Sequence, residues 1–514
     1  MWQTKMANNQ PDSTVSSPVS RRTFVKAVGG TGAAAGLAGC TGGGGNGNNQ
    51  SGKTTEKSTT TSSMSTTTSS SSSGGKTTIS WAANPQMSDN ADKVKEALYN
   101  AGLSKDIEIK LISGAWETGK RQQKYQLWLS QQKATPDLLL MDSGWTIPFI
   151  ARNQLMNLSD ALSGDVVKGI QNDYFGSSLS SAQDHDGNVF GVPFFPALPT
   201  MQYRKDLVKK AGYDPEGEDW ATKGISWKKF SEVTAKTKKQ AGTKYGFTFQ
   251  AKAYEGLSCC DFNEWMSSFG GAYFGGLDNL FGPIGDRPIT VDEKPVLDAI
   301  KMVRTFINGQ SDPHSLDGYT GNIAPESVLQ WSEETSRKPF TNGDAVMHRN
   351  WPYSIKINGK DKNFGTDLGV MPVPWGVKAS DAKYKGTGGV VASLGGWNNT
   401  VNPSTEHKEA ALEVLKTTMT DSFILDMFEL IGYLPPKPKL FNSDKAKSAP
   451  VMGRYMDTLK VAGENAVPRP VTVAWPSEST KISQDVNAAL GGQMSPSDAM
   501  SKLKQQLNAI EQSA

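Results

Sequence analysis

From residue 79 onward, short apolar stretches alternate with longer ones in which apolar positions recur at helical spacing. Thr78–Trp81 reads as a strand, followed by a helix over Asn90–Ala101. In Ile107–Ile112 apolar Ile107, Ile109 and Leu111 alternate with Glu108 and Lys110, which predicts a half-buried strand. A helix over Lys120–Gln132 follows, and then Asp137–Met141, an apolar run of the kind found in buried parallel strands. This β-α-β-α-β order predicts an open α/β sheet with helices on both faces. Ligands of such sheets bind beyond the carboxyl ends of the strands, which here carry Trp81–Met87, Ser113–Arg121 and Asp142–Trp145.

Further on, helices are predicted over Tyr203–Ala211, Trp227–Gln240 and Phe262–Phe269, with a strand at Gly246–Gln250. Val296, Ile300, Val303 and Ile307 place one apolar stripe on a helix over Pro295–Ile307. The C-terminal stretch reads as broken helices, including Val451–Ala462 and Pro496–Ile510. Neither an internal repeat nor a membrane span is visible.

The N-terminal region has another character. Ser20–Lys26 carries the twin arginines Arg21 and Arg22, an export address, followed by a small-residue stretch too short and too Gly/Ala-rich to span a bilayer. The stretch ends in Leu37-Ala38-Gly39-Cys40, similar to a lipobox, in which the cysteine thiol is lipidated. Residues 1–40 are therefore expected to be a signal segment and Cys40 a lipid anchor. Residues 41–78 are almost wholly Gly, Asn, Ser and Thr, too poor in apolar side chains to offset ordering entropy. They are expected to form a disordered spacer with a reach of roughly 30–35 Å, open to O-glycosylation.

Composition removes several functions. With 54 basic against 51 acidic residues the net charge is only +3, too small to suggest nucleic acid as a partner. Three cysteines preclude a dense disulfide framework; the neighbours Cys259 and Cys260 are expected to be buried thiols, because bridging adjacent residues strains the link. His185, His314, His348 and His407 have no partners at metal-ligand spacing, so neither metal nor cofactor is expected. There is no nucleophile elbow and no phosphate loop. Asp142, Glu117 and Glu255 could supply a glycosidase pair, but carboxylates lining a sugar pocket more often accept hydroxyl hydrogen bonds. No catalytic residue is assigned.

Aromatics and glycines gather where strands are expected to end: Tyr254-Glu255-Gly256, Trp351-Pro352-Tyr353, and Gly395-Gly396-Trp397-Asn398. Core packing is the competing reading for any one tryptophan. Flat rings in loop-like settings suit stacking on the apolar C–H face of a sugar, with neighbouring carboxylates and amides taking its hydroxyls.

In order along the chain, Pro136–Trp145, Tyr203–Leu207, Tyr254–Leu257, Asn342–Ala345, Arg349–Tyr353, Gly395–Trp397 and Val467–Pro470 resemble the extracellular solute-binding proteins of ABC importers. The branch is the one that takes trehalose, maltose and related sugars, and the resemblance covers the globular part. It implies a hinged, two-lobed α/β periplasmic-binding-protein fold. Lobe I would comprise 79–195 and 389–440, and lobe II 196–388 and 441–514. Chain crossings would lie near Phe194–Leu198, Gly388–Val391 and Lys439.

The resemblance further implies that Asp142 accepts sugar hydroxyls, Arg121 donates to them, Trp351, Tyr353 and Trp397 stack, and Gly396 permits close approach. Glu255, Trp475 and Lys437 are weaker members of the set, and Arg349 reads as an ion pair beneath the Trp-Pro-Tyr loop. Two departures from the family pattern stand out: Ala197 occupies the slot of an aspartate, and Lys437 that of an arginine. Lysine cannot make the bidentate contact of arginine, so the sugar need not be trehalose. The implied function is an extracellular, lipid-anchored, monomeric receptor that captures a di- or oligosaccharide by hinge closure and delivers it to a permease. A polyol or glycerol phosphate receptor, or a surface-anchored glycosidase, is the alternative.

Overall fold

Three of the apolar stretches form parallel strands: β1 (Thr77–Ala83), β2 (Ile107–Ser113) and β3 (Leu138–Asp142). The computed structural model describes residues 75–514; the twin arginines, Cys40 and the spacer up to residue 74 lie outside the described residues. The difference in sequence pattern between β2 and β3 has a direct cause. β2 is the sheet edge, with Ile107 and Ile109 buried and Glu108 and Lys110 exposed, whereas every residue of β3 is buried. β4 (Gly191–Ala197) ends this first passage, and the chain crosses at 198–199 into a second sheet.

That sheet comprises β5 (Thr200–Arg204), β6 (Tyr245–Thr248), β7 (Ala345–Asn350) and β8 (Leu368–Met371), in the order β6-β7-β5-β8. The chain then returns as β9 (Ala392–Val401), which pairs antiparallel with both β3 and β4. β10 (Ala466–Pro468) pairs parallel with the start of β9, so the first sheet runs β10-β9-β3-β1-β2 with β4 also on β9. Residues 441–514, expected wholly in the second lobe, thus contribute one strand to the first sheet.

Each sheet has its own core. Ile79, Trp81, Leu138, Leu140 and Phe423 centre the first, while Trp227, Phe230, Phe247 and Phe306 form an aromatic cluster beneath the second. A third core joins Leu198, Ala392 and Leu394, beside the crossings, to Ile355, Val370, Phe428 and Leu459. The helix Trp227–Ala241 shows how local sequence sets these elements. The Ser226 side chain accepts from Lys229 N at its start, and Gly242 closes it at a φ of 68°, where a Cβ would be strained.

Three expectations are corrected. Tyr203 and Arg204 do not open a helix but end β5. Tyr203 is hydrogen-bonded between β7 and β8, and its ring lies over Gly369 and against Trp220, so sheet pairing overrides the helical spacing. Gly395-Gly396-Trp397 is not a strand end but the middle of β9, paired throughout with β4 and, at Trp397, with β3 as well. Cys259 and Cys260 are not thiols. They lie in a π-helical turn, Leu257–Asp261, and are joined in a disulfide.

The two C-terminal helices, Trp475–Leu490 and Pro496–Ser513, are fastened by one buried cation. Arg287 lies 3.0 Å from Glu478 and 2.6 Å from Glu511, with its guanidinium 3.6 Å from the Phe274 ring centroid. Arg287→Met would leave the buried Glu478–Glu511 pair without its cation, and such uncompensated charge typically costs about 3–5 kcal/mol. Urea unfolding of the variant is expected to show a clearly lowered midpoint; an unchanged midpoint would refute the role.

Candidate binding cleft

A cavity with about 820 Å³ of empty volume, its open mouth included, lies between the carboxyl ends of β1 and β3 and the residues following β6 and β7. From the first sheet it is lined by Asn84, Trp116, Thr118, Arg121, Asp142, Phe195, Gly396, Trp397 and Tyr433. From the second side come Gly256, Cys259, Cys260, Glu333, Trp351 and Tyr353, with Arg469 between. Strand register explains the first wall. Trp397 of β9 is the direct partner of Asp142 in β3 and of Phe195 in β4, which places a carboxylate, an indole and a phenyl ring in one row.

The Asp142 carboxylate is held from several directions. Gly144 N and Thr118 Oγ1 donate to it, each at 2.9 Å, and Trp145 Nε1 donates in turn to Thr118 Oγ1. Arg469 Nη1 lies 2.9 Å from Asp142 Oδ1 and 3.0 Å from Glu255 Oε1, so one guanidinium serves a carboxylate on either wall. Glycine at 144 is required for this: a Cβ there would stand 2.3 Å from Glu255 Oε1 and 2.4 Å from Arg469 Nη1. Burial, and after it the charge of Asp142, pushes the Glu255 carboxyl up to about 7 against the pull of Arg469.

Arg121 is almost fully buried, and its guanidinium lies 3.7 Å from the Trp397 ring centroid. It donates to Asn84 Oδ1, while Asn84 Nδ2 donates to Tyr433 Oη at 3.1 Å. Tyr433 stacks on Phe195 with centroids 3.8 Å apart, and Phe195 lies 6.4 Å from Trp397. Cation and rings thus form one continuous face. Arg121 Nε and Arg469 Nε are buried without a hydrogen-bond partner among the described residues.

On the other wall, Trp351 follows β7 directly, and Pro352 opens the short helix Pro352–Asn358. Arg349 beneath it is buried, 2.6 Å from Glu264 and 3.0 Å from Asp261, and its guanidinium lies 4.4 Å from the Trp351 ring centroid. It is an ion pair that also supports the indole. Tyr353 donates to Glu334 at 2.9 Å, and Glu333 accepts from Tyr254 at 2.9 Å. Across the mouth, Trp116 faces Tyr353 at 6.4 Å and Glu117 pairs with Lys252 at 2.5 Å.

Of the residues expected at the site, Asp142, Arg121, Trp351, Tyr353, Gly396 and Trp397 all line the cavity, and Glu255 reaches it through Arg469. Two do not. Lys437 is drawn away by Met419 O at 2.6 Å and Asp421 at 2.9 Å, so it secures the helix Asp421–Ile431 instead. Trp475 is fully buried in the second core against Tyr273. Sequence reasoning assigned no role to Arg469, Phe195, Tyr433 or Glu333. An arginine between Pro468 and Pro470 was the available signal, since neither proline fits a helix interior.

The raised Glu255 carboxyl has a testable consequence. Folded chain holds this proton more tightly than unfolded chain, so its contribution to stability is present below the ordinary value of 4.5 and is lost as pH rises through about 7. Thermal unfolding across this range should show the midpoint of the wild type falling relative to that of Glu255→Gln. A gap independent of pH would contradict the assignment.

The family whose members are described as bacterial extracellular solute-binding proteins matches residues 91–454. A probable ABC transporter-binding protein of Deinococcus radiodurans is 27% identical over 413 residues, covering 78% of this chain and 86% of that protein. Among solved structures, maltose-bound MalE3 of T. maritima is similar with a TM-score of 0.69 and 26% identity, covering 84% of this chain and 99% of that one. The GacH receptor of Streptomyces glaucescens, solved unliganded and with acarbose, has a TM-score of 0.66 at 17% identity, covering 85% and 99% respectively, and shares the fold. The two-lobed periplasmic-binding-protein architecture read from the sequence is the one these structures have. The chain belongs to the bacterial extracellular solute-binding proteins, and it is a binding protein rather than an enzyme.

Proposed function

We propose that this protein is the sugar-capture receptor of an ABC importer, taking a di- or oligosaccharide of the trehalose/maltose type. The observation that carries the reading is the row of Asp142, Trp397 and Phe195 fixed by strand register, with Arg121 on the indole. A sugar ring presents an apolar C–H face and a rim of hydroxyls. The indole matches the first; the oriented Asp142 carboxylate and the cavity-lining side chains of Arg121 and Arg469 match the second. The similarity to maltose-bound MalE3 supports the same solute class.

On this reading lobe I (79–195 and 389–440, with β10 added) and lobe II (196–388 and the rest of 441–514) hinge about the crossing segments. The Trp116–Tyr353 and Glu117–Lys252 contacts belong to the closed form. The closed form is what the permease recognises. Lipidation at Cys40 and the Ser/Thr-rich spacer hold the receptor near the membrane outside the cell.

Calorimetric titration of the full-length protein with a panel of disaccharides and maltooligosaccharides is expected to reveal saturable heat with at least one. Trp397→Ala and Asp142→Asn are each expected to weaken that sugar roughly tenfold or more without lowering the unfolding midpoint enough to unfold the protein. No response across the panel would remove the sugar assignment. Unchanged affinity in both variants would remove the cleft assignment.

A further inference from the structure

The Cys259–Cys260 disulfide has no evident structural work. A disulfide stabilises chiefly by closing a loop in the unfolded chain, and the effect grows with loop length. Here the sequence separation is one, so almost nothing is constrained. Nor does the link join two elements, since both residues lie in the same turn. What distinguishes it is location: both half-cystines line the same cavity as Gly256, Trp351, Trp397 and Arg121.

The turn that carries them is fixed. Ser258 Oγ pairs with Ser479 Oγ at 2.6 Å, Tyr273 donates to Ser258 O, and Cys259 and Cys260 are only 4% and 1% exposed. A disulfide has no N–H or O–H donor, and its two sulfurs are large and polarisable, suited to contact with C–H groups and rings. A disulfide is also at home outside the cell, where thiols are oxidised.

We propose that the Cys259–Cys260 disulfide is a ligand-contacting surface, an apolar platform on which the C–H face of the bound sugar ring rests, in the cavity it shares with Trp397 and Arg121. The proposal rests on the sugar reading above. Reduction breaks the S–S bond, gives each sulfur a proton, and moves the sulfurs apart to non-bonded distance. Flat contact is lost and two weak S–H donors replace it.

The test uses the full-length protein and the disaccharide that binds it most tightly in calorimetry. Affinity is compared for the oxidised wild type, for wild type reduced with a water-soluble phosphine, and for Cys259→Ala/Cys260→Ala. In the reduction the phosphine takes oxygen from water and the disulfide takes the two hydrogens; alkylation and mass measurement confirm the free thiols. Reduced and variant proteins are expected to bind roughly fivefold to thirtyfold more weakly, with recovery on reoxidation of the reduced wild type. Recovery separates a lost contact from irreversible unfolding. If the oxidised wild type binds sugar and verified reduction leaves affinity within about twofold, the platform is refuted while the sugar reading stands. If the oxidised wild type binds no sugar, both fall.

Discussion

One guanidinium, that of Arg469, lies between carboxylates contributed by opposite walls of the cleft, and the site's geometry depends on it. Two carboxylates and one cation in a buried space leave an excess of negative charge, which the low dielectric penalises. The structure resolves the excess at Glu255, whose affinity for a proton rises, while Asp142 is oriented by Gly144 N and the Thr118 hydroxyl. Arg121 brings a second cation and Glu333 a further carboxyl, so groups of both signs line the cleft, a setting suited to a solute with many dipoles and no charge. The arrangement is possible only because residue 144 has no side chain.

Strand β9 gives this chemistry its place. It lies between β3 and β4, and the antiparallel register on both sides lines up Asp142, Trp397 and Phe195. Its first residues also hold β10, so the segment that brings Arg469 to the cleft is pinned just before it arrives. The third apolar core packs Leu198, Ala392 and Leu394 beside the points where the chain passes between sheets. Those passages are therefore embedded in packed side chains, and changes of cleft width must be absorbed in few backbone dihedrals.

How much of this was legible in the sequence depended on the range of the determining interactions. The edge strand β2 and the buried strand β3 were legible because alternation and continuity report burial directly. The carboxyl-end rule pointed to Asn84, Thr118, Arg121 and Asp142 through strand ends alone. Tyr203 and the glycines of β9 were misread because partners more than a hundred residues away decide their conformation. Lys437 and Trp475 were misplaced for a similar reason: Asp421 and the second core claim them, and neither is a neighbour in sequence. Cys259 and Cys260 follow no pattern that marks a bridge, since the general difficulty of joining neighbours argues for thiols and the sequence holds no sign of the disulfide they form.

The distribution of tryptophans makes the molecule its own optical instrument. Trp81, Trp145, Trp220, Trp227, Trp265 and Trp475 are sealed in the interior, beyond the reach of aqueous quenchers such as iodide. Trp116, Trp351 and Trp397 instead border the cleft, with Trp116 as much as 41% exposed. Trp128, Trp331 and Trp375 are half-buried outside the cleft lining, so ultraviolet emission combines the sealed interior rings, these three, and a component set at the cleft. The cleft component can report, without any attached dye, how far the mouth stands open.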